Sequence, residues 1–125
     1  MNSVHYFEIQ ADDPTRAVNF YVQIFDWKFT KDDALAIDYW RITEAGINGG
    51  LLKRPAPAPK PPTGTNAYTC SIEVVDFDVC AEKILKNGGV VALEKFAVPG
   101  VCWQGYFLDT EGNTFGLFQP DKEAK

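Results

Sequence analysis

The feature that most constrains this chain is one order of segments, a strand, a helix and three strands, which occurs twice. In the first copy, Ser3 to Ala11 alternates apolar and polar residues with the period of two that is typical of a strand with two different faces. Asp12-Asp13-Pro14 then offers a capping carboxylate and a proline suited to a first helical turn. We therefore predict a helix over 14–25 and strands over 27–31, 36–43 and 47–53.

The second copy begins at Tyr68, where residues 68–75 alternate again. Asp76 can cap a helix that Asn87-Gly88-Gly89 would stop, and strands are predicted over 90–97, 102–108 and 114–119. Single residues match between the copies: Ile9 and Asp13 with Ile72 and Asp76, and Thr43-Glu44 and Gly50-Leu51 with Thr110-Glu111 and Gly116-Leu117. The pattern predicts an α+β fold in which two tandem βαβββ modules form a curved mixed sheet around a shared concave cavity, with the helices outside.

A proline-rich segment separates the copies. Arg54 to Thr65 contains five prolines, which cannot donate ladder hydrogen bonds and favour an extended polyproline II conformation. We interpret it as a linker over 54–66, between module one over 3–53 and module two over 67–120. The 125 residues are expected to form one domain.

Charge excludes several classes of partner. The formal net charge is −5 and no run of Lys or Arg occurs, so nucleic acid and an anionic membrane surface are not expected as partners. No apolar stretch is long enough to span a bilayer and the N-terminus does not resemble a signal peptide, so a cytoplasmic location is expected. Three widely spaced cysteines and one histidine suggest reduced thiols rather than disulfides or a zinc site.

Strand phase selects the candidate site residues. If Phe7 and Ile9 face the helices, the side chains that face the cavity are Tyr6, Glu8, Gln10, Thr69, Ser71 and Glu73. Glu8 is the candidate catalytic residue, because a carboxylate in a hollow can act as a general acid or base. The alternative is a structural role for Glu8, in an ion pair or hydrogen bond with Arg41 or Lys53.

Other candidates also have structural alternatives. Asn48, in Asn48-Gly49-Gly50, could let a ligand approach the backbone, although turns and bulges also explain the glycines. The aromatic residues Trp27, Tyr39, Trp40, Trp103 and Tyr106 could line a ligand pocket, although aromatics on strands are more often core. His5 and Cys102 are interpreted as structural. The predicted ligand-binding set is Tyr6, Asn48, Thr69, Ser71 and Trp103.

The same residues resemble a known family. His5-Tyr6-Phe7-Glu8-Ile9, Ala11-Asp12-Asp13-Pro14, Phe20-Tyr21, Phe25-Asp26-Trp27, Gly49-Gly50-Leu51 and Asp109-Thr110-Glu111-Gly112-Asn113 together resemble the vicinal oxygen chelate superfamily of glyoxalase I, bleomycin-resistance proteins and extradiol dioxygenases. Two departures are Asp26, where relatives usually have glycine, and Thr110, where they usually have proline.

The resemblance also implies where a metal would bind. Carried over to this sequence, the metal-ligand positions of the family are Tyr6, Thr69, Gly116 and a position at or near Gly50. Tyrosine and threonine are poor ligands for Zn²⁺ or Fe²⁺ and glycine has no ligating side chain, so neither a metal nor another cofactor is expected.

The function that follows is a metal-free glyoxalase-like protein that binds a small, partly apolar organic molecule in its cavity. One alternative is a lyase or isomerase, related to lactoylglutathione lyase, with Glu8 as general acid or base and Tyr6, Thr69 or Ser71 holding a substrate oxygen. Another is an interaction or regulatory subunit with a vestigial pocket. The resemblance further implies a homodimer.

Overall fold

The computed structural model describes residues 2–57, 67–110 and 113–125 and confirms the α+β class, with the order βαβββ occurring twice. Contacts divide the chain into two compact units, residues 6–68 and residues 1–5 with 69–125. The first copy consists of β1 (Val4–Ala11), α1 (Pro14–Ile24), β2 (Lys28–Lys31), β3 (Tyr39–Thr43) and β4 (Asn48–Lys53). The second consists of β5 (Thr69–Glu73), α2 (Phe77–Lys86), β6 (Val90–Val98), β7 (Cys102–Leu108) and β8 (Thr114–Pro120).

In the unit of residues 6–68 the strands are ordered β2-β3-β4-β1, with β1 parallel to β4 and the other pairs antiparallel. Asp13 caps α1 as predicted, because its carboxylate accepts a hydrogen bond from the Arg16 N–H at 3.1 Å. The buried apolar residues alternate along the strands with more polar neighbours, which gives the sheet one apolar and one mixed face. They are Phe7, Ile9, Ala11, Ile42 and Leu51.

In the other unit the strands are ordered β5-β8-β7-β6, and β5 is parallel to β8. A core of Val74, Phe77, Phe107 and Leu117 packs between sheet and helix, with Trp103 among the half-buried residues against it. Residues 3–5 contribute to this unit, since the Glu73 N–H donates to the Ser3 carbonyl at 3.0 Å. Strand β6 pairs irregularly with β7, with register shifts between Val91 and Phe96.

The duplication inferred from the sequence extends to the strand register. Asp76 accepts a hydrogen bond from the Val79 N–H at 3.0 Å, three residues on, as Asp13 does from Arg16. Glu8 lies opposite Gly50 in the β1–β4 pair, and Ser71 lies opposite Gly116 in the β5–β8 pair. Each module therefore has a glycine of its last strand beside a polar residue of its first.

The structure differs from the sequence-based prediction at the start of β3, and it does not describe most of the predicted linker. Strand β3 was predicted to begin at residue 36 but begins at Tyr39, because the Asp32 carboxylate accepts from the Ala34 N–H and holds the intervening residues in turns and bends. Most of the predicted linker, residues 58–66, lies outside the described residues. None of the helices in the described ranges is long and apolar enough to cross a membrane.

Candidate functional site

The mixed face of the first module holds a chain of hydrogen bonds between side chains of β1 and β3. Tyr39 Oη donates to Glu8 Oε2 at 2.8 Å, and Tyr39 Oη and Tyr6 Oη are 2.8 Å apart. Arg41 donates from a terminal nitrogen to Tyr6 Oη at 3.2 Å, and its Nε donates to Asp32 Oδ2 at 3.0 Å. We call these five residues, Tyr6, Glu8, Asp32, Tyr39 and Arg41, the tyrosine cluster.

Strand alternation brings the cluster together. Tyr6 and Glu8 are two residues apart on β1, and Tyr39 and Arg41 are two residues apart on β3, so each pair points to one face. Between these strands lies β4, where Gly50 is opposite both Glu8 and Arg41. A Cβ at Gly50 would overlap Tyr39 Oη and Cζ, so the tyrosine ring occupies the space that any larger residue would need.

Asp32 fixes the outer end of the cluster. Its Oδ2 accepts from two nitrogens of the Arg41 guanidinium, each at 3.0 Å, while the Arg41 carbon Cζ lies 5.0 Å from the centroid of the Tyr39 ring. Such a charge-assisted pair restricts the guanidinium to one orientation. The Arg41 side chain nevertheless keeps 43% of its exposure, so the cluster has a buried end at Tyr39 and an open end at Arg41.

The second module has a neutral counterpart at the equivalent register positions. Gln104 Nε2 donates to Ser71 Oγ at 2.9 Å, and both side chains are buried, with exposures of 7% and 3%. Ser71 lies opposite Gly116, just as Glu8 lies opposite Gly50. On the neighbouring strand, Tyr106 is the partner of Gly116 and follows Gln104 by two residues. In the same way, Arg41 is the partner of Gly50 and follows Tyr39 by two residues. A Cβ at Gly116 would overlap Ser71 Oγ and lie 2.7 Å from Gln104 Nε2.

These contacts test whether the residues could hold the metal that the family resemblance implies, and they do not fit one. The positions carried over to Gly50 and Gly116 have no ligating side chain, and the volume beside each is filled by a hydrogen-bonded pair of the same module. In the described part of the chain, no group of three or more His, Cys, Asp or Glu side chains could hold a metal ion. We derive no chemistry through a metal.

Burial governs the ionisation of the phenols in the cluster. Burial raises the pKa of Tyr39, and the nearby Glu8 charge raises it further. Burial also raises the pKa of Tyr6, against the opposing effect of hydrogen bonds with Tyr39 and Arg41. Both hydroxyls therefore keep their protons at neutral pH and act as hydrogen-bond donors.

The remaining predicted site residues are distributed over both modules. Asn48 is exposed at the start of β4, opposite Tyr6 and on the face of the cluster. Thr69 is half-buried on β5, two residues before Ser71 and on the same face. Trp103 lies on the opposite face of β7 from Gln104, packs toward the α2 core and donates from Nε1 to Asp121 Oδ2 at 2.9 Å. The structure thus does not bring Trp103 to Ser71.

The residues interpreted as structural have satisfied surroundings. His5 Nδ1 is 3.1 Å from Glu73 Oε1, and the His5 ring stacks on Phe118 with centroids 4.5 Å apart. Cys102 is buried, Cys70 and Cys80 are half-buried, and none of the three forms a disulfide. Burial raises the pKa of the Cys80 thiol, which disfavours the reactive thiolate there.

Two clefts open at the other end of β1, and neither includes the cluster's phenols. One of about 410 Å³ is lined by residues that include Asp38, Trp40 and Lys53, and one of about 400 Å³ by residues that include Arg16 and Phe20. Asp12 and Asp13 contribute to both. In the first cleft, Lys53 Nζ donates a hydrogen bond to the Asp12 carbonyl rather than pointing freely into the space. The convergent polar side chains of the tyrosine cluster make it the stronger candidate site.

Sequence reasoning identified Tyr6 and Glu8 but missed their principal partner. Tyr39 was considered only as an aromatic residue of a pocket or of the core, and Asp32 was not singled out, while Arg41 was named as a possible partner of Glu8. The structure gives Arg41 hydrogen bonds to Tyr6 and Asp32. The alternation of Tyr39 and Arg41 on β3 was visible, but their register against β1, two strands away, was not.

Gly50→Ala should lower the free energy of unfolding by about 1–3 kcal/mol or more, because the added methyl overlaps the Tyr39 ring in a packed site. Adding Tyr39→Ala should remove most of the penalty that the Gly50 change causes in that background. Urea denaturation of the wild type, both single variants and the double variant measures this coupling. If the stability losses of the two single variants add up to the loss of the double variant, the Tyr39 ring does not restrict position 50.

Alkaline pH should destabilise the protein through its buried phenols. Burial raises the pKa of Tyr21 to about 12, as does its hydrogen bond with Tyr68, against an ordinary value of 10.0. Below pH 10 both folded and unfolded chains keep this proton; above it the unfolded chain ionises first, so stability falls as pH rises toward 12. The urea midpoint should drop between about pH 10 and about pH 12. Tyr21→Phe should flatten that drop, and an unchanged slope would contradict the assignment.

Comparison with known proteins agrees with this description. The model of the Glyoxalase/Bleomycin resistance protein/Dioxygenase superfamily matches residues 3–117. A putative glyoxylase, CFP32, of Mycobacterium bovis is 24% identical over 120 residues, which are 94% of this chain and 46% of that protein. The chain therefore spans about half the length of this mycobacterial relative.

Two further matches extend over nearly the whole of both chains. A glyoxylase-like domain-containing protein of Didymella fabae is 30% identical over 115 residues, 88% of each chain. The structure of a methylmalonyl-CoA epimerase variant from Streptomyces coelicolor has a TM-score of 0.63 at 13% identity and covers all of this chain and 99% of its own, which shows a common fold. With its βαβββ repeat and the match over residues 3–117, the chain belongs to the Glyoxalase/Bleomycin resistance protein/Dioxygenase superfamily.

Proposed function

We propose that this chain is a glyoxalase-like protein that binds a small, partly apolar organic molecule without a metal, on the face of module one that bears the tyrosine cluster. The observation that carries the proposal is the convergence of Tyr6, Tyr39 and Arg41 with Glu8 in one half-buried chain of hydrogen bonds. A few aligned polar groups among apolar surroundings are typical of ligand sites. Leu52, half-buried opposite Tyr39, provides apolar surface beside them.

The chemistry of the cluster favours a ligand with an oxygen acceptor. The open end presents the Arg41 guanidinium and the Tyr6 hydroxyl, both of which donate hydrogen bonds. A carboxylate or carbonyl of the ligand would gain a charge-assisted hydrogen bond there, which is stronger than one between neutral groups. We therefore expect the ligand to carry a carboxylate or a polarised carbonyl on an apolar body.

A second candidate function is that of a lyase or isomerase in which Glu8 moves a proton next to a carbonyl. The hydrogen bond from Tyr39 supports it, since it orients the Glu8 carboxylate, and a fold shared with an epimerase is compatible with it. Turnover of a glutathione hemithioacetal or an epimerisable thioester that disappears in Glu8→Gln would favour the enzyme. Saturable binding without turnover would favour a binding protein. Absence of both binding and turnover would favour a regulatory subunit with a vestigial pocket.

We also propose a cytoplasmic homodimer. Phe20 and Ile24 are four residues apart on the 11-residue helix α1, so they share one face, and they are exposed by 56% and 53%. Apolar exposure of this kind on a small protein is typical of an interaction surface, and a second copy would cover it. None of the three cysteines forms a disulfide, which is compatible with the reducing cytoplasm.

Tyr6→Phe should weaken binding of an aromatic 2-oxo acid, phenylglyoxylate, by about tenfold, because the change removes one donor at the open end of the cluster. Tyr21→Phe is the matched control: it removes a hydroxyl that bonds Tyr68 and lies outside the cluster. Isothermal titration calorimetry measures both affinities. Equal effects of the two substitutions, or no binding of the probe by the wild type, would count against the proposed function.

Light scattering should give a mass of twice the 13.9 kDa chain at micromolar concentration. Phe20→Asp together with Ile24→Asp should shift the mass to that of one chain, because a charge on α1 opposes burial against a copy. Circular dichroism controls for folding. A wild-type mass of one chain throughout would exclude the homodimer.

A further inference from the structure

The tyrosine cluster fixes where its protons lie. A phenol has one proton to donate, and an ionised carboxylate only accepts. Tyr39 Oη donates its proton to Glu8 Oε2, so the short contact between Tyr39 Oη and Tyr6 Oη must be filled by the Tyr6 proton. Arg41, which has donors only, gives its own to Tyr6 Oη. The three hydrogen bonds that lead from Arg41 through Tyr6 and Tyr39 to Glu8 therefore run in one direction.

This direction determines what happens when a ligand acceptor binds Tyr6. The ligand needs the Tyr6 proton, and taking it leaves two phenol oxygens 2.8 Å apart with no proton between them. Tyr39 can refill that contact by turning its proton from Glu8 to Tyr6. The contact between Tyr39 Oη and Glu8 Oε2, also 2.8 Å, then lacks a proton, and protonation of Glu8 from solvent restores it.

We propose that an acceptor ligand binds the tyrosine cluster with uptake of one proton from solvent by Glu8, and that Tyr39 is the positioning residue that couples the two events. The proposal rests on the proposed ligand site and adds its regulation: affinity for a carboxylate ligand rises as pH falls. The balance is complete, since one proton leaves the solvent, one is added to Glu8 Oε2, and the other two change only their acceptors.

The contacts described around Glu8 within its own unit are consistent with this coupling. Strand β3 contributes the Tyr39 hydroxyl and, one phenol further along, the Arg41 cation; β1 contributes Tyr6 and the neutral Gln10; and β4 contributes Gly50 directly opposite. Asp32 holds the far side of the Arg41 guanidinium and offsets its charge. Protonation of Glu8 thus changes the direction of two hydrogen bonds while leaving the ion pair of Arg41 and Asp32 in place.

Calorimetry of phenylglyoxylate in buffers of different ionisation enthalpy tests the coupling. The wild type and Tyr21→Phe should take up about one proton per bound ligand, and affinity should fall about tenfold per pH unit where uptake occurs. Glu8→Gln should bring uptake close to zero, because its amide can turn either N–H or oxygen toward Tyr39. Tyr39→Phe should also bring it close to zero, since the link to Glu8 is lost while the ring is kept.

A ligand-free measurement separates this proposal from the proposed function. NMR should find the Tyr6 hydroxyl proton protected in the wild type, and Tyr39→Phe should make it exchange about tenfold faster, because the acceptor for that proton is gone. Unchanged exchange would overturn the direction of the chain whether or not the probe binds. Binding of the probe without proton uptake would overturn the coupling alone, whereas absence of binding with faster exchange would overturn the ligand site and leave the hydrogen-bond direction standing.

Discussion

The close approach of β4 to the Tyr39 ring at Gly50 is the constraint on which the candidate site depends. Only a residue without a Cβ leaves room there for the phenol to reach both Glu8 and Tyr6. The position needs no unusual backbone conformation, since Gly50 is not among the residues with positive φ. Glycine is required for space rather than for flexibility, and the hydrogen bonds of the cluster follow from that space.

The two modules use the same register positions for different chemistry. In module one, the pair beside the glycine is a phenol and a carboxylate that connect to an arginine, and in module two it is the amide and hydroxyl of Gln104 and Ser71. Amide and hydroxyl groups do not titrate near neutral pH, so the second pair holds the sheet without a change of charge. Duplication thus left one half of the chain with an ionisable centre and the other with a neutral polar core.

Much of this architecture was predictable because it depends on local signals. The N-caps Asp13 and Asp76, the buried phase of Phe7 and Ile9 and the strand of residues 102–108 all follow from capping chemistry and alternation, which act over a few residues. The polar phase of Tyr6 and Glu8 was predictable for the same reason.

The partners within the site were not predictable, because they depend on strands far apart in sequence. Tyr39 lies 31 residues from Glu8, and Gln104 lies 33 residues from Ser71. Their contacts depend on the register of each pair of strands. Alternation fixes the face on which a residue lies, but a register shifted by two residues keeps the same faces, so alternation alone does not determine the register. The same periodicity made the aromatic residues of β7 look equivalent, although Trp103 packs on the helix side and Tyr106 on the other.

The segment between the modules is tied at both ends to the first one. The Arg54 N–H donates to the Ala11 carbonyl at 2.8 Å, and the Tyr68 hydroxyl is 2.7 Å from that of Tyr21. Both anchors lie within the unit of residues 6–68, so the folding of that unit alone fixes the two ends between which this segment must run.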